Sequence, residues 1–363
     1  MTAVFRLFPW DVEGDPDAAA SLARRGVERV ALAATYHAAR VATPRHPLHR
    51  VVELRTSASY LGRLGPLPEG PWSFDPARDA LQRAGIAVDA WIVLGHLDGV
   101  RPDLPRVVNA FGDELSHALC LSSPASRRFV IELAGAAFPT AAGGTAWLEA
   151  LGWLALPHGS LHEKTAGADF DARQIGLLGR CMCDECLDGL MPAPDRDGFR
   201  AGVRAAVDGA MDPPGMDGLL ANRERVVDTL HEEVAALAAQ HDVELRIAAE
   251  DTGAGRRSQV YVGCWGDVEQ GRAALARAAR HDRRVAYVTI LDGDPQGFAA
   301  HWAALAESGA DELHVYHAGL ASDRRLEAAI RAVEVFDEAR RARRPSAVIE
   351  PPDTAAPHDS RPS

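Results

Sequence analysis

The chain has 363 residues, 47% of them apolar, and a formal net charge of −12. Such a chain can bury a large core, and its acidity argues against a nucleic-acid or anionic-membrane partner, because both need a basic face. The opening MTAVFRLFPWDVEGD lacks a charged-then-apolar leader, and no apolar run is long enough to span a bilayer, so a cytoplasmic protein is expected.

Along the chain, an amphipathic helix, a glycine and a short apolar run recur in that order. SLARRG-VERVALAATYH, DALQRAG-IAVDAWIVLGH and WAALAESGA-DELHVYHAG are the clearest cases. Gly26, Gly85 and Gly309 stand where a helix end needs a left-handed residue before the next strand. Strands are expected over 3–8, 28–35, 87–95, 144–151, 243–250, 259–264, 284–291 and 312–318. Strands that alternate with helices pair in parallel. Eight of them make a single (β/α)₈ barrel, an α/β fold, over residues 1–343. An open doubly wound sheet is disfavoured, because no G-x-G-x-x-G follows any of these runs.

Two stretches interrupt the rhythm. Residues 97–123 read as a loop insertion after the third strand, and 152–242 as a mostly helical insertion after the fourth. Barrels carry functional variation in the loops at the carboxyl ends of their strands, where both insertions fall. Residues 322–343 read as the last helix. Residues 344–363 are Pro-rich and polar, the composition of a disordered tail.

The chain contains five cysteines. Cys181, Cys183 and Cys186 offer three thiolates within one tight turn, a spacing that suits zinc better than a disulfide framework in a reducing compartment. The fourth ligand is Cys120 or Cys264, and the place of Cys120 beside the fourth strand favours it. The metal would be structural.

The order NAFGDELSHALCLSSPASRRFVIELAG, a strand ending in Glu149, then CMCDECLDGL, resembles part of the β-galactosidases of glycoside hydrolase family forty-two. It covers roughly residues 105–200. The resemblance implies a carbohydrate-active barrel and Cys120 as the fourth zinc ligand. It also implies that Glu149 is the acid/base of a retaining glycoside hydrolase. Leu148 precedes Glu149 where the family has asparagine, and the seventh strand offers Asp292 or Asp294 in place of a glutamate.

Alternation along Thr145-Ala-Trp-Leu-Glu149 turns Trp147 and Glu149 to one face. A retaining glycosidase needs a second carboxyl ~5 Å from the first. Asp292 is the first choice for it, with Glu250 and Asp251 next, although Asp292-Gly293 is also a turn dipeptide. Asp11, Tyr36, His37, Arg40, His96, Trp147, Glu250 and Tyr316 fall at strand ends as candidate substrate contacts. Trp10, Trp91, Trp153 and Trp265 are further aromatic faces.

His158, His162 and Lys164, the only lysine in the chain, could hydrogen-bond a substrate from a loop. The two histidines could instead chelate a metal in an isomerase or lyase barrel. A barrel that binds carbohydrate without cleaving it is the remaining alternative. A carbohydrate or glycoside is the expected small-molecule partner, and barrels of this kind can also self-associate through their outer helices.

Overall fold

The computed structural model describes residues 3–62, 66–154, 156, 166–248 and 259–343. Eight strands form its centre: β1 (Ala3–Leu7), β2 (Arg29–Tyr36), β3 (Ala87–Val93), β4 (Thr145–Glu149), β5 (Glu244–Ala248), β6 (Gln259–Gly263), β7 (Arg283–Thr289) and β8 (Glu312–Tyr316). Each pairs in parallel with the next, and β8 pairs with β1, so the sheet closes into a barrel. All eight fall within a few residues of the expected runs. Strands buried on both faces read as continuous apolar runs, and VALAAT in β2 is a clear case.

Helices cover the outside: α1 (Ala18–Arg24), α2 (Phe74–Arg83), α3 (Pro124–Ala137), α4 (Ala172–Leu178), α5 (Asp184–Asp188), α6 (Arg196–Val207), α7 (Met216–Gln240), α8 (Val268–Arg277), α9 (Phe298–Glu307) and α10 (Asp323–Arg343). Gly26, Gly85 and Gly309 take φ of 94°, 84° and 107°, the left-handed turns from helix to strand. The tail from residue 344 lies outside the described residues.

Three excursions leave the carboxyl ends of the strands. The one after β3 is more regular than expected, because Arg106–Val108 and Glu114–Leu119 pair as an antiparallel hairpin. The one after β4 carries α4 to α7, and α7 packs on α3. A third, after β2, has no counterpart in the sequence expectations. Its strands Ala39–Ala42 and Val51–Leu54 form another antiparallel hairpin, and Ala58–Ser59 pairs antiparallel with the end of β2. Short strands without helical partners between them leave no helix–strand rhythm to read.

Unlike the apolar packing usual inside such barrels, this interior holds charge. Arg6 of β1 is fully buried, and it meets residues of β3, β4, β6, β7 and β8 there. Toward the amino ends, Asp89 of β3 accepts from Trp147 Nε1 at 2.8 Å and pairs with Arg29 at 3.0 Å.

Where β3 and β4 end, their backbones nearly touch. Gly95 N donates to Ala150 O at 2.8 Å, and a Cβ on Gly95 would stand 2.5 Å from that oxygen. Ala150, directly after Glu149, is left-handed with φ 58°, a conformation that costs a non-glycine residue ~1–2 kcal/mol. Gly95→Ala is expected to destabilise the fold by ~1–3 kcal/mol by overpacking this contact, read as a lower denaturant midpoint. An unchanged midpoint would contradict the close approach.

Candidate active site at the barrel mouth

Glu149 ends β4 with its side chain inward, at the floor of the mouth. Its Oε2 accepts from Arg6 Nη1 and from Trp91 Nε1, the latter at 3.0 Å. Arg6 also donates from Nε to His314 Nε2 at 3.0 Å, and its guanidinium lies 4.1 Å from the Trp91 ring centroid and 4.4 Å from that of Tyr287. Burial opposes the charge on Arg6, but the Tyr287 phenol and the Glu149 carboxylate outweigh it and hold its pKa above the usual arginine value. His314 is kept neutral by burial and by the nearby Arg6 charge, which leaves Nε2 as an acceptor.

Glu149 is thus an oriented carboxylate with one-fifth of its side chain still exposed. Aromatic groups surround it. Tyr36 Oη and Tyr316 Oη are 3.4 Å apart, and the Tyr36 ring stands edge-on to Trp91 with centroids 4.9 Å apart. Trp265 is half exposed and stands 5.2 Å from Tyr316 and 5.3 Å from Tyr287 between centroids. It is the most exposed of the seven tryptophans. Trp147, also expected as a contact, is instead wholly buried, against His314 at 3.9 Å between centroids.

At the rim, His37 stacks between Tyr36 and His96, with centroids 4.2 and 3.9 Å away. Burial, followed by the neighbouring His96, lowers the His37 pKa to about 4. Asp98 joins the pair, its Oδ2 3.2 Å from His96 Nε2. Arg40 lies on the exposed hairpin, paired with Glu53 at 2.8 Å. It still shares a cleft of about 520 Å³ with Tyr316, Leu291 and Arg325.

Asp292 lies in an exposed turn where its Oδ1 accepts from Gly293 N at 2.7 Å, and it lines a pocket together with Trp265. Asp11 lies behind Phe8 and His317, its Oδ2 accepting from Phe8 N at 2.7 Å and standing 3.8 Å from His317 Nδ1. It lines a separate cavity of about 430 Å³ with Arg45, His46 and Arg50. His158, His162, Lys164, Glu250 and Asp251 lie outside the described residues.

The cysteine cluster stands beside the mouth. Cys120 follows the hairpin after β3, and its Sγ lies 3.6 Å from those of both Cys183 and Cys186. All four sulfurs of Cys120, Cys181, Cys183 and Cys186 fall within 4.8 Å of one another. Cys264, at the end of β6, lines a different pocket with Trp265 and Asp292. Val108 N donates to Cys181 Sγ at 3.4 Å and Met182 N to Val108 O at 2.6 Å, so the cluster joins the excursions after β3 and β4. Hydrogen bonding among the four thiols drives the pKa values of Cys181 and Cys183 down and those of Cys120 and Cys186 up. Arg223, stacked 4.0 Å from the Trp153 centroid, is lowered to about 10 by burial, while the thiolates of Cys186 and Cys181 work to raise it.

Sequence reasoning missed Arg6 and Asp98. The signal for Arg6 was present as one charge inside the apolar strand AVFRL. Asp98 follows His96 by two residues, but the turn that brings it back was not legible.

No family model and no curated protein matches the chain. Solved structures do share its fold. The glycoside hydrolase domain of PgaB (BpsB) from Bordetella bronchiseptica is 16% identical with a TM-score of 0.53, over 93% of this chain and 98% of that one. The catalytic domain of β-amylase from Paenibacillus polymyxa is 12% identical with a TM-score of 0.56, over the same shares. Both likenesses concern the barrel as a whole. Among the described residues, no helix is long and apolar enough to cross a membrane.

Burial raises the Asp11 pKa from 3.8 to about 7, against the Phe8 hydrogen bond and the Arg45 charge. The folded chain keeps this proton where the unfolded chain releases it. Asp11 therefore adds stability below pH 4 that is lost as pH rises through about 7. Asp11→Asn is expected to remove that part of the pH dependence, read from denaturant midpoints between about pH 4 and 8. A variant profile parallel to wild type would contradict a buried, protonated Asp11.

Proposed function

We propose that the protein is a carbohydrate-active enzyme, a glycoside hydrolase that works at Glu149. The observation that carries this reading is an oriented, partly exposed carboxylate at the end of β4, ringed by aromatic and hydroxyl groups. The shared fold with two glycoside hydrolase domains is consistent with it, and fold alone does not assign chemistry.

Glycosidic cleavage passes through an oxocarbenium-like transition state flanked by two carboxyl groups, one charged and one giving a proton to the leaving oxygen. The family resemblance gave Glu149 the proton-donating role. Two donors on Oε2, one of them a guanidinium, favour the charged role instead. We therefore assign Glu149 as the anionic partner that faces the anomeric carbon. Arg6 Nη2 is buried and has no hydrogen-bond partner among the described residues, so a ligand hydroxyl or a water reaching it would satisfy a donor that is otherwise costly to bury. Trp265 supplies the stacking face, and Tyr36 and Tyr316 supply polar contacts. Glu250 or Asp251, just beyond β5 in sequence, is our choice for the proton donor, because Asp292 is engaged in a turn.

Glu149→Gln is expected to lower turnover of a hydrolysable aryl glycoside by ~10²-fold or more, while Asp292→Asn leaves it essentially unchanged. Unaltered turnover in Glu149→Gln would remove the assignment.

The four cysteines fit a structural zinc. Sulfurs this close can converge on one ion with Zn–S bonds of ~2.3 Å, and the buried Arg223 offsets the excess negative charge of four thiolates. Zinc would then tie together the two excursions that frame the mouth. Stripping it with a strong chelator under reducing conditions is expected to lower the melting temperature. A melting temperature indifferent to the chelator would count against a structural metal.

A further inference from the structure

We propose a second metal site, for a divalent transition ion, formed by His37, His96 and Asp98 at the rim of the barrel mouth. It stands independently of the hydrolase reading.

Each of the three residues offers a ligating atom, and these atoms lie within 4.8 Å of one another. Ligand atoms around an ion at ~2.0–2.2 Å stand ~3–3.5 Å apart, so the set closes when the His37 and His96 rings, stacked nearly parallel at 3.9 Å between centroids, turn out of that stack. The ligands come from adjoining parallel strands, since His37 directly follows β2, while His96 and Asp98 follow β3. The fold therefore presents them together before any ion arrives.

The surroundings hold the set in place. His37 Nδ1 lies 2.8 Å from the Ala38 carbonyl oxygen. A carbonyl can only accept, so Nδ1, the nitrogen 3.9 Å from Asp98 Oδ2, carries the hydrogen in the metal-free chain, and the ring turns to bring the Nε2 lone pair to an ion. Metal-binding histidines commonly have their other nitrogen tied in this way. Asp98 Oδ2 accepts from Ala38 N at 3.1 Å, and the Asp98 backbone is tied to Ser57 at both ends, N to Oγ at 2.8 Å and O from N at 2.9 Å.

All three side chains are largely but not wholly buried, with His37 and Asp98 reaching solvent. Two imidazoles and one carboxylate favour a transition ion over calcium or magnesium, which take oxygen ligands. Three protein ligands leave coordination positions for water or for an oxygen of a bound ligand. Hydroxyl or carboxylate oxygens of a sugar or sugar acid are the matching chemistry.

The test uses the full-length protein, equilibrated with excess zinc, desalted, and counted for metal per chain by elemental analysis. Wild type is expected to retain one zinc more than His37→Ala and one more than Asp98→Asn. Equal zinc in all three folded proteins would overturn the site. Either substitution could impair folding, so wild type alone supplies a second measurement. Protein freed of loosely held metal by a mild chelator, in place of the zinc treatment, is given excess Co(II) and desalted, and the retained cobalt is examined by X-ray absorption. A shell containing imidazole nitrogen is expected. No retained cobalt, or cobalt bound by sulfur alone, would overturn the proposal. Cys183→Ser should keep the imidazole-bound cobalt, which separates this site from the cysteine cluster.

Discussion

A guanidinium wholly enclosed by a β-barrel must have a counter-charge, and Arg6 finds it in Glu149. Desolvating such a charge costs several kcal/mol unless it is paired and hydrogen-bonded. The interior of this barrel is arranged to that end. Glu149 and His314 accept from Arg6, while Trp91 and Tyr287 lie within cation–π distance of it. The same contacts fix Glu149 in orientation and favour its charge. A need created by burial in β1 thereby becomes a preorganised carboxylate at the end of β4.

Around that centre, three excursions build the mouth. Those after β3 and β4 meet at the cysteine cluster, where Val108 is hydrogen-bonded to Cys181 and Met182. The excursion after β2 supplies the hairpin wall with Arg40, and the strand end before it carries the His37 that meets His96 and Asp98. The lone charge inside a strand orients the Glu149 side chain, and the four converging sulfurs stand where two excursions meet.

The eight strands could be read from the chain because apolar runs between amphipathic helices have one favoured arrangement. That Cys120 joins the other three cysteines was legible from its place beside the fourth strand, because thiol count alone left Cys264 as a rival. Arg6 and Glu149 were not legible as a pair, since 143 positions separate them and only closure of β8 onto β1 and β3 onto β4 sets them face to face. Asp292 drew attention by strand number, and the turn it forms with Gly293 was equally legible from the dipeptide. Trp147 was a plausible sugar contact until its indole N–H proved to serve Asp89. Residue type and approximate depth were readable, but the partner that decides each role lay across the barrel.

The dependence of the mouth on one ion pair is most directly tested by a double-mutant cycle on stability, with Arg6→Met, Glu149→Gln and the combined variant. Removing one partner leaves the other buried without its counter-charge, whereas removing both does not. The double variant should therefore recover much of the loss seen in Arg6→Met, with a coupling of ~1–3 kcal/mol. Effects that simply add, within ~0.5 kcal/mol, would show that Arg6 and Glu149 are not energetically joined and would contradict the origin proposed here for the oriented carboxylate.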